Sequence, residues 1–430
     1  MMTAIDWWII VIGALCASAC ALPGTLLVLR RMSLMGEAIS HTVLPGIAIA
    51  FLVTGTRDPI SMFIGAIVIG ILTALFVHVI QTYGKVEIGA SIGIVFTVLF
   101  AFGLILIRQA LDHVHIDPDC VLYGSIEFAY FEQEDLFGYM VPRSFIINGA
   151  MLLVNALLLL LFYKEMKIAS FDHALAKSQG FKPELMHYVL MTMTAVTAVA
   201  AFESVGSILV VAMFIVPPAT AYLLTDRYWM LMVIAIIVAC LSSVIGHLSA
   251  ITVPTWFGFS GTVTSGAMTV AAGALFVIAW ICSPRHGLVA LVVNRMVVKI
   301  KILKEDVLGI LWRLEERDQQ SLVKQQLQEL LQSNKTMFAI AMFSLKKSGS
   351  VQSHAGIVQL TKDGRTQASS IIRTHRLWEV YLDKHFPQDT HQLHHAASRL
   401  EHVTTDAMQE QLGTATHDPH GSEVPQIKDE

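Results

Sequence analysis

Charge is what this sequence has least of. Of its 430 residues only 14% are Asp, Glu, Lys or Arg, while 54% are hydrophobic and the mean hydropathy is +0.61. A soluble domain carries about 25% charged residues, so a wholly soluble fold is excluded for most of the chain. Cysteine is scarce too: Cys16, Cys20, Cys120, Cys240 and Cys282 form neither a CxxC pair nor an even framework, which excludes a disulfide scaffold and leaves four of them as membrane packing. No GxxxxGK[ST] loop occurs, so the chain does not cradle ATP phosphates by that mechanism, and HExxH and nucleophile motifs are missing as well. A net charge of −4 is too small to call for a polyanionic partner by itself. The opening MMTAIDWW has no basic stretch, and its apolar run continues past Cys20 to Leu29, so it reads as a span and not as a cleaved signal.

What the chain has in abundance is long apolar runs, nearly all of them before about Arg295. The polar text beyond divides the chain into an apolar domain over 1–290, a linker over 291–303 and a second domain over 304–430. A helix crossing a bilayer needs roughly 20 apolar residues. Such runs end at Leu29 and then occupy about 34–54, 59–82, 89–109, 144–163, 187–203, 206–224, 229–250 and 263–283, nine spans with eight as the alternative. Arg30 and Arg31 put the end of the first span in the cytoplasm and the N-terminus outside, with Trp7 and Trp8 at the interface. Alternation then places Lys85, Lys164, Lys167, Lys177, Lys182, Arg227, Arg285 and Arg295 inside, with Arg57, Arg108 and Arg143 as exceptions. Pro217-Pro218 removes two backbone donors and should break or kink its span, either lining a path or packed against neighbouring helices.

Within the second span the stretch Met32–Gly46, MSLMGEAISHTVLPG, holds an acid and an imidazole. Glu37 and His41 are four apart, so on a helix they share one face with Cβ atoms roughly 5–6 Å apart and can reach one cation. A carboxylate near mid-bilayer costs about 2.5–3.5 kcal/mol even on the lenient insertion scale, and such residues face a protein-lined or watery path. The alternative is a protonated Glu37 and a hydrogen-bonded His41 that only join spans. Two ligands fall short of the four to six that a divalent transition ion takes, so a second subunit facing this one is expected to complete the shell.

The run LMGEAISHTVLPGIAIAFL resembles the permease subunits of bacterial ABC importers for manganese, zinc and iron, with further matches at GASIGIVF, DPDCVLYGSI and VGSILVVAMFIVPPATA, together over roughly residues 10–285. The resemblance implies that Glu37 and His41 are the metal ligands of the translocation path, with Glu37 standing where the family usually has Asp. It also implies a multi-pass protein of the bacterial plasma membrane. Its partners would be membrane lipid, an ATP-binding subunit that does the hydrolysis, a second permease, identical or homologous, and an extracytoplasmic metal-binding protein. The divalent metal is substrate, and no cofactor is held permanently. The polar inside loop Lys164–His187, with SFDHALAKSQG, is helical by the spacing of Phe171, Leu175 and Ala176, which gives Phe171 a buried face. It resembles the segment through which such permeases touch their ATPase, which implies coupling roles for Phe171, Asp172, Ala176 and Gly180. On the outer side, His113, His115, Asp117, Asp119 and Cys120 form either a metal antechamber or a solvated loop.

After Arg295 the residues KEDVLGILWRLEERDQQSLVKQQLQELLQSNKTMFAIAMFSLKKSGSV read as two or three amphipathic helices. IVQLTKDGRTQA reads as a β-wing and turn before a helix at Ser369–Lys384, the order of a winged helix-turn-helix. The tail resembles the diphtheria toxin repressor and manganese transport regulator family, most specifically in LTKDGR, HRLWEVYL, RLEHV and THDPHG, over roughly Lys304 to Pro425. That implies a helical metal-binding and dimerisation segment and metal ligands at Asp306, His375, Glu379, His394, Glu401 and His402. Ser398 stands where the family carries Cys or Glu. The bare chemistry agrees in part: His375 and Glu379 share a helix face, and Glu401-His402 offers oxygen beside nitrogen, a mix suited to manganese, iron or zinc. About half of the 17 His lie in this tail, a bias that also gives nonspecific metal binding.

The fold expected is therefore an all-α polytopic membrane domain followed by a cytoplasmic winged helix-turn-helix-like domain. The function expected is a non-enzymatic permease subunit for divalent transition metals with a cytoplasmic metal-sensing domain. The alternative is a membrane-tethered, metal-dependent transcriptional regulator. DNA ranks below metal as a ligand, because Lys335, Lys346 and Lys347 make a sparse basic face and the tail is close to neutral.

Overall fold

The computed structural model describes residues 4–425 except 56–58, 111–125, 137, 260, 285–286, 318–321, 355, 387–389 and 414. It divides into two units, Met1–Ala290 and Leu291–Glu430.

The first unit is built on α1 (Ala4–Leu29), whose span is 83% buried. Around and beside it stand α2 (Met35–Thr54), α3 (Pro59–Gly84), α4 (Ile88–Ala110), α5 (Arg143–Leu161), α8 (Pro183–Val205), α9 (Ser207–Leu224), α10 (Tyr228–Thr252) and α11 (Thr264–Cys282). Among the described residues nine helices are long and apolar enough to cross a membrane. The α1 sequence explains its central place: GALCASACALPG is small on every side, so helices α5, α8, α9 and α10 all pack on it. A Cβ on Gly24 would collide with the Phe214 carbonyl of α9. Polar side chains tie these helices internally: Asn155 Nδ2 of α5 donates to the Ala19 carbonyl at 3.0 Å and to Thr197 Oγ1 at 2.8 Å. By contrast α4, α5 and α11 expose much of their apolar surface, as a lipid-facing helix does.

The paired prolines do not divide their span. Helix α9 runs through Pro217 and Pro218, and the division falls earlier, at Gly206 with φ +83°. Pro218 lacks the N–H that would bond the Phe214 carbonyl, and that carbonyl packs instead against the bare backbone of Gly24. A short hairpin, β1 (Gln133–Leu136) with β2 (Tyr139–Pro142), leads into α5, and α6 (Tyr163–Phe171) with α7 (His173–Ser178) connects α5 to α8.

The second unit contains most of α12 (Leu288–Glu316), so positions 291–303 are helical. Then follow α13 (Lys324–Leu330), α14 (Lys335–Lys347), the hairpin β3 (Val351–His354) and β4 (Ile357–Leu360), α15 (Lys362–His385), α16 (Thr390–Leu400), a 3-10 turn at Glu401–Val403 and α17 (Asp406–Gln411). β3 and β4 pair antiparallel, Val351 opposite Leu360 and His354 opposite Ile357. One core joins Val307 and Leu311 of α12, Leu327 of α13, Phe338 and Met342 of α14, and Val358 of the hairpin. Helix, helix, helix, wing is the order seen. TKDGR is not a turn within the wing, however: Thr361 Oγ1 accepts from Gly364 N at 3.0 Å and caps α15, which starts at Lys362 rather than Ser369.

Candidate metal centres

In α2 Glu37, His41, Leu44 and Ile47 are half-buried and follow one another at helical spacing, while Ala38, Ile39, Thr42 and Val43 are buried against neighbours. The acid and the imidazole thus lie on a half-buried stripe of a helix whose other sides are packed at this level, while Ile49, Leu52 and Val53 near its end are exposed. The hold is visible on both sides. A Cβ on Gly46 would come 2.5 Å from the Gly65 carbonyl of α3, and one on Gly103 of α4 would come 2.6 Å from Pro45 Cδ. Thr73 Oγ1 of α3 donates to Thr42 Oγ1 at 2.9 Å. The His41 ring stands against two aromatic rings of α4, Phe96 at 5.3 Å and Phe100 at 5.7 Å between centroids. These phenyl rings limit the imidazole's rotation on the α4 side. Reading the sequence for ligands missed them; the i, i+4 spacing of Phe96 and Phe100 was the available signal.

The outer-loop group His113, His115, Asp117, Asp119 and Cys120 lies outside the described residues. At the other end, Asp172 is the N-cap of α7, its Oδ1 accepting from Ala174 N at 2.9 Å and Leu175 N at 3.0 Å. Gly180 turns the chain with φ +83°, and Ala176 is fully buried. Phe171 differs from the buried residue that helical spacing suggested: it is 62% exposed, touching the Tyr228 ring by its edge. Asp172 ends α6 in an extended conformation, which turns Phe171 outward.

In the second unit the six expected ligands form two groups, each with ligand atoms within 4.8 Å of one another: His375, Glu379 and His394 in one, Asp306, Glu401 and His402 in the other. The first joins α15 to α16. Glu379 Oε1 lies 3.1 Å from His375 Nε2 and 2.7 Å from His394 Nδ1, and the two imidazole nitrogens are 3.0 Å apart. His375 and Glu379 are buried, His394 is exposed. Burial opposes charge on Glu379, but hydrogen bonds and charges of His375 and His394 outweigh it and hold the carboxyl at about 2. The second group joins α12 to the 3-10 turn, with His402 Nε2 3.4 Å from Asp306 Oδ1 and 3.5 Å from Glu401 Oε1. Burial likewise opposes charge on His402, yet hydrogen bonds to Asp306 and Glu305, with the charge of Glu401, push it up to about 10.

The groups communicate through Glu401, whose Oε2 is 2.8 Å from His375 Nδ1. Both atoms are buried and neither is aligned for a hydrogen bond, so the attraction between them is one of charge. Ser398, at the position of the missing family donor, turns back on its own helix and donates to the His394 carbonyl at 3.0 Å. Three residues not singled out from the sequence also belong here. Glu305 Oε2 sits 2.7 Å from His402 Nδ1, His420 Nε2 is 3.8 Å from Glu379 Oε1, and Arg376 pairs with Glu316 at 2.6 Å and Asp418 at 3.5 Å. Beside the first group is a cavity of about 740 Å³ that Arg376 and His420 help to line.

Among the described residues, nine apolar helices, an acid–imidazole pair on one of them, and a separate unit with two clusters of metal-ligand side chains define a multi-pass membrane protein joined to a metal-binding domain. The chain belongs to the ABC 3 transport family, which it matches over residues 3–283; residues 361–426 match the iron dependent repressor, metal binding and dimerisation domain. It is similar to the manganese transport system membrane protein MntD of Bacillus subtilis, 44% identical over 283 residues, 66% of this chain and 93% of that one. The zinc transport system membrane protein TroD of Treponema pallidum is 37% identical over 281 residues, 65% and 75% of the two chains. Among solved structures, PsaBC of Streptococcus pneumoniae in complex with Fab shares 29% identity with a TM-score of 0.54, covering 66% of this chain and 94% of that one.

The side chains present fit a metal in the second unit. Three nitrogen or oxygen donors converge in each group, and the misaligned pair His375 Nδ1 and Glu401 Oε2 leaves two buried ligand-type atoms without hydrogen bonds.

Proposed function

We propose that this chain is the permease subunit of an ABC importer for divalent transition metal ions, manganese, zinc or iron, and that its second unit is a cytoplasmic metal sensor acting on import. The observation that carries the reading is the half-buried stripe of α2 on which Glu37 and His41 stand one turn apart, in a helix that packs against α3 and α4. An apolar anchor has no use for two metal ligands on one face of a helix. The ion is substrate, held in passing by the carboxylate and the imidazole, with a facing second permease supplying the remaining ligands. Names of relatives support the metal class: MntD and TroD are described as manganese and zinc transport proteins.

Hydrolysis of ATP falls to a separate subunit, which docks where Phe171 is exposed beside the capping Asp172, the buried Ala176 and the turn at Gly180. An extracytoplasmic metal-binding protein delivers the ion. Arg30, Arg31 and the lysines of the 164–182 segment support an N-terminus outside and the second domain in the cytoplasm. There His375, Glu379 and His394 hold one ion and Asp306, Glu401 and His402 another, bringing α12, α15 and α16 under the control of cytoplasmic metal. A bound divalent ion supplies charge that offsets the crowded carboxylates. Glu305, on Nδ1 of His402, leaves Nε2 to the ion. The domain is tested by counting manganese bound to the intact purified chain: two ions are expected, and one or none after His375→Ala with His402→Ala. Equal binding in that double variant would remove the sensor.

A further inference from the structure

Where the end of α1 meets α3, the α6–α7 segment and the start of α8, the first unit contains a second cavity, of about 400 Å³. Its polar wall includes Arg30, Arg31, His78, His173, Glu184 and His187, and its apolar wall Leu29, Met32 and Ile88. Glu184, the acid in that wall, is already held by Lys177 at 2.6 Å. The fixed charge around the space is therefore positive. The imidazoles of His78 and His187 lie side by side, 5.0 Å between centroids.

Arg30 is the informative residue. Its Nε donates to Ser170 Oγ at 3.1 Å, but Nη1 and Nη2 are buried and have no hydrogen-bond partner among the described residues. Tyr228, near enough to interact with Arg30 electrostatically, has a buried hydroxyl that is likewise unpaired. A guanidinium whose outer nitrogens are buried and unmatched is costly, and its planar fork is shaped for two oxygens of one oxyanion. Arg30 also follows directly on the 26-residue first span, the position at which an apolar helix of that length reaches the headgroups. Basic pockets between transmembrane helices at that depth on the cytoplasmic side take lipid phosphates, and the apolar wall suits the glycerol and first methylenes of such a lipid.

We propose that this cavity binds a phosphate oxyanion, with Arg30 as its two-pronged anchor, and that its occupant is the headgroup of an anionic phospholipid. The inference rests on the orientation proposed above only in assigning the lipid to the cytoplasmic leaflet. Its consequence lies in the same side chain. Through Nε, Arg30 holds Ser170, one residue before the exposed Phe171, so an occupied cavity braces the segment offered to the ATPase.

The test uses the full chain and needs no transport. In nanodiscs of phosphatidylcholine with or without phosphatidylglycerol, the unfolding midpoint should rise with phosphatidylglycerol, and native mass spectrometry should show that lipid retained after transfer to detergent. Inorganic phosphate in neutral detergent should give a smaller, saturable rise that chloride does not. Arg30→Gln should weaken retention by roughly 10-fold or more, since it removes a charged, bidentate contact. Arg30→Lys, which keeps charge without the fork, should fall between and serves if the Gln variant does not fold. A phosphate effect without lipid retention would keep the oxyanion and remove the lipid as its source. Equal retention of both lipids with no phosphate effect, or full retention by a folded Arg30→Gln chain, would overturn the proposal. So would stabilisation by the ATPase subunit alone, which would assign Arg30 to a protein carboxylate.

Discussion

His402 has a carboxylate on each ring nitrogen: Glu305 at 2.7 Å from Nδ1, Asp306 at 3.4 Å from Nε2. A carboxylate on the nitrogen away from the ion fixes the ring and its tautomer, and losing such a partner typically costs 10–100-fold in metal affinity. Glu305→Gln is therefore expected to weaken manganese binding about 10-fold. The free-manganese signal in electron paramagnetic resonance reads this directly, and unchanged binding would reduce Glu305 to a surface partner of Lys301. Without metal the same histidine makes a pH prediction. Its pKa is raised from 6.5 to about 10, so its contribution to stability is complete below about pH 6.5 and is lost as pH rises through about 10. Thermal unfolding in chelator should show that loss in the wild type and a flatter profile in His402→Ala. Metal must displace this proton, so its affinity should rise over the same window. Asp306, Glu401 and His402 were legible through a family pattern, whereas Glu305 was hidden because an acid four residues after Lys301 reads as an ordinary helix pair. His420 is separated from Glu379 by 41 positions in sequence, and only the folding of the chain brings the two near each other.

The apolar spans were the most legible elements, because the bilayer imposes length and composition on each stretch separately. What depends on a neighbour was not. Pro217-Pro218 suggested a broken helix, yet α9 continues because Gly24 of another helix lets backbone pack at the freed carbonyl. Gly24→Leu should consequently destabilise the first unit, by at least the ~1–3 kcal/mol of ordinary overpacking, since the clash is with backbone. A midpoint equal to wild type in detergent would contradict the packing described. The α6–α7 element shows the opposite error: helical spacing suggested a buried Phe171, and capping by Asp172 turns it out. Phe171→Glu should leave the chain folded and the partner ATPase active but sever ATP hydrolysis from uptake. Wild-type coupling in that variant would remove this element from the contact.

At the scale of the molecule, a membrane unit with the half-buried Glu37–His41 stripe and a polar unit with two ligand clusters share one chain. Joining them makes sense if metal that has entered reports back on entry. Truncation after Ala290 should therefore leave uptake active but no longer depressed by high internal metal, and unchanged feedback would rule out control by the second unit. The central claim is that Glu37 and His41 hold the ion in transit. It is tested most directly by initial rates of radioactive manganese uptake in cells expressing the full transporter, with membrane levels of the chain matched. The account predicts that Glu37→Ala and His41→Ala each abolish uptake and that Glu37→Asp retains part of it, whereas wild-type rates in both alanine variants would contradict it.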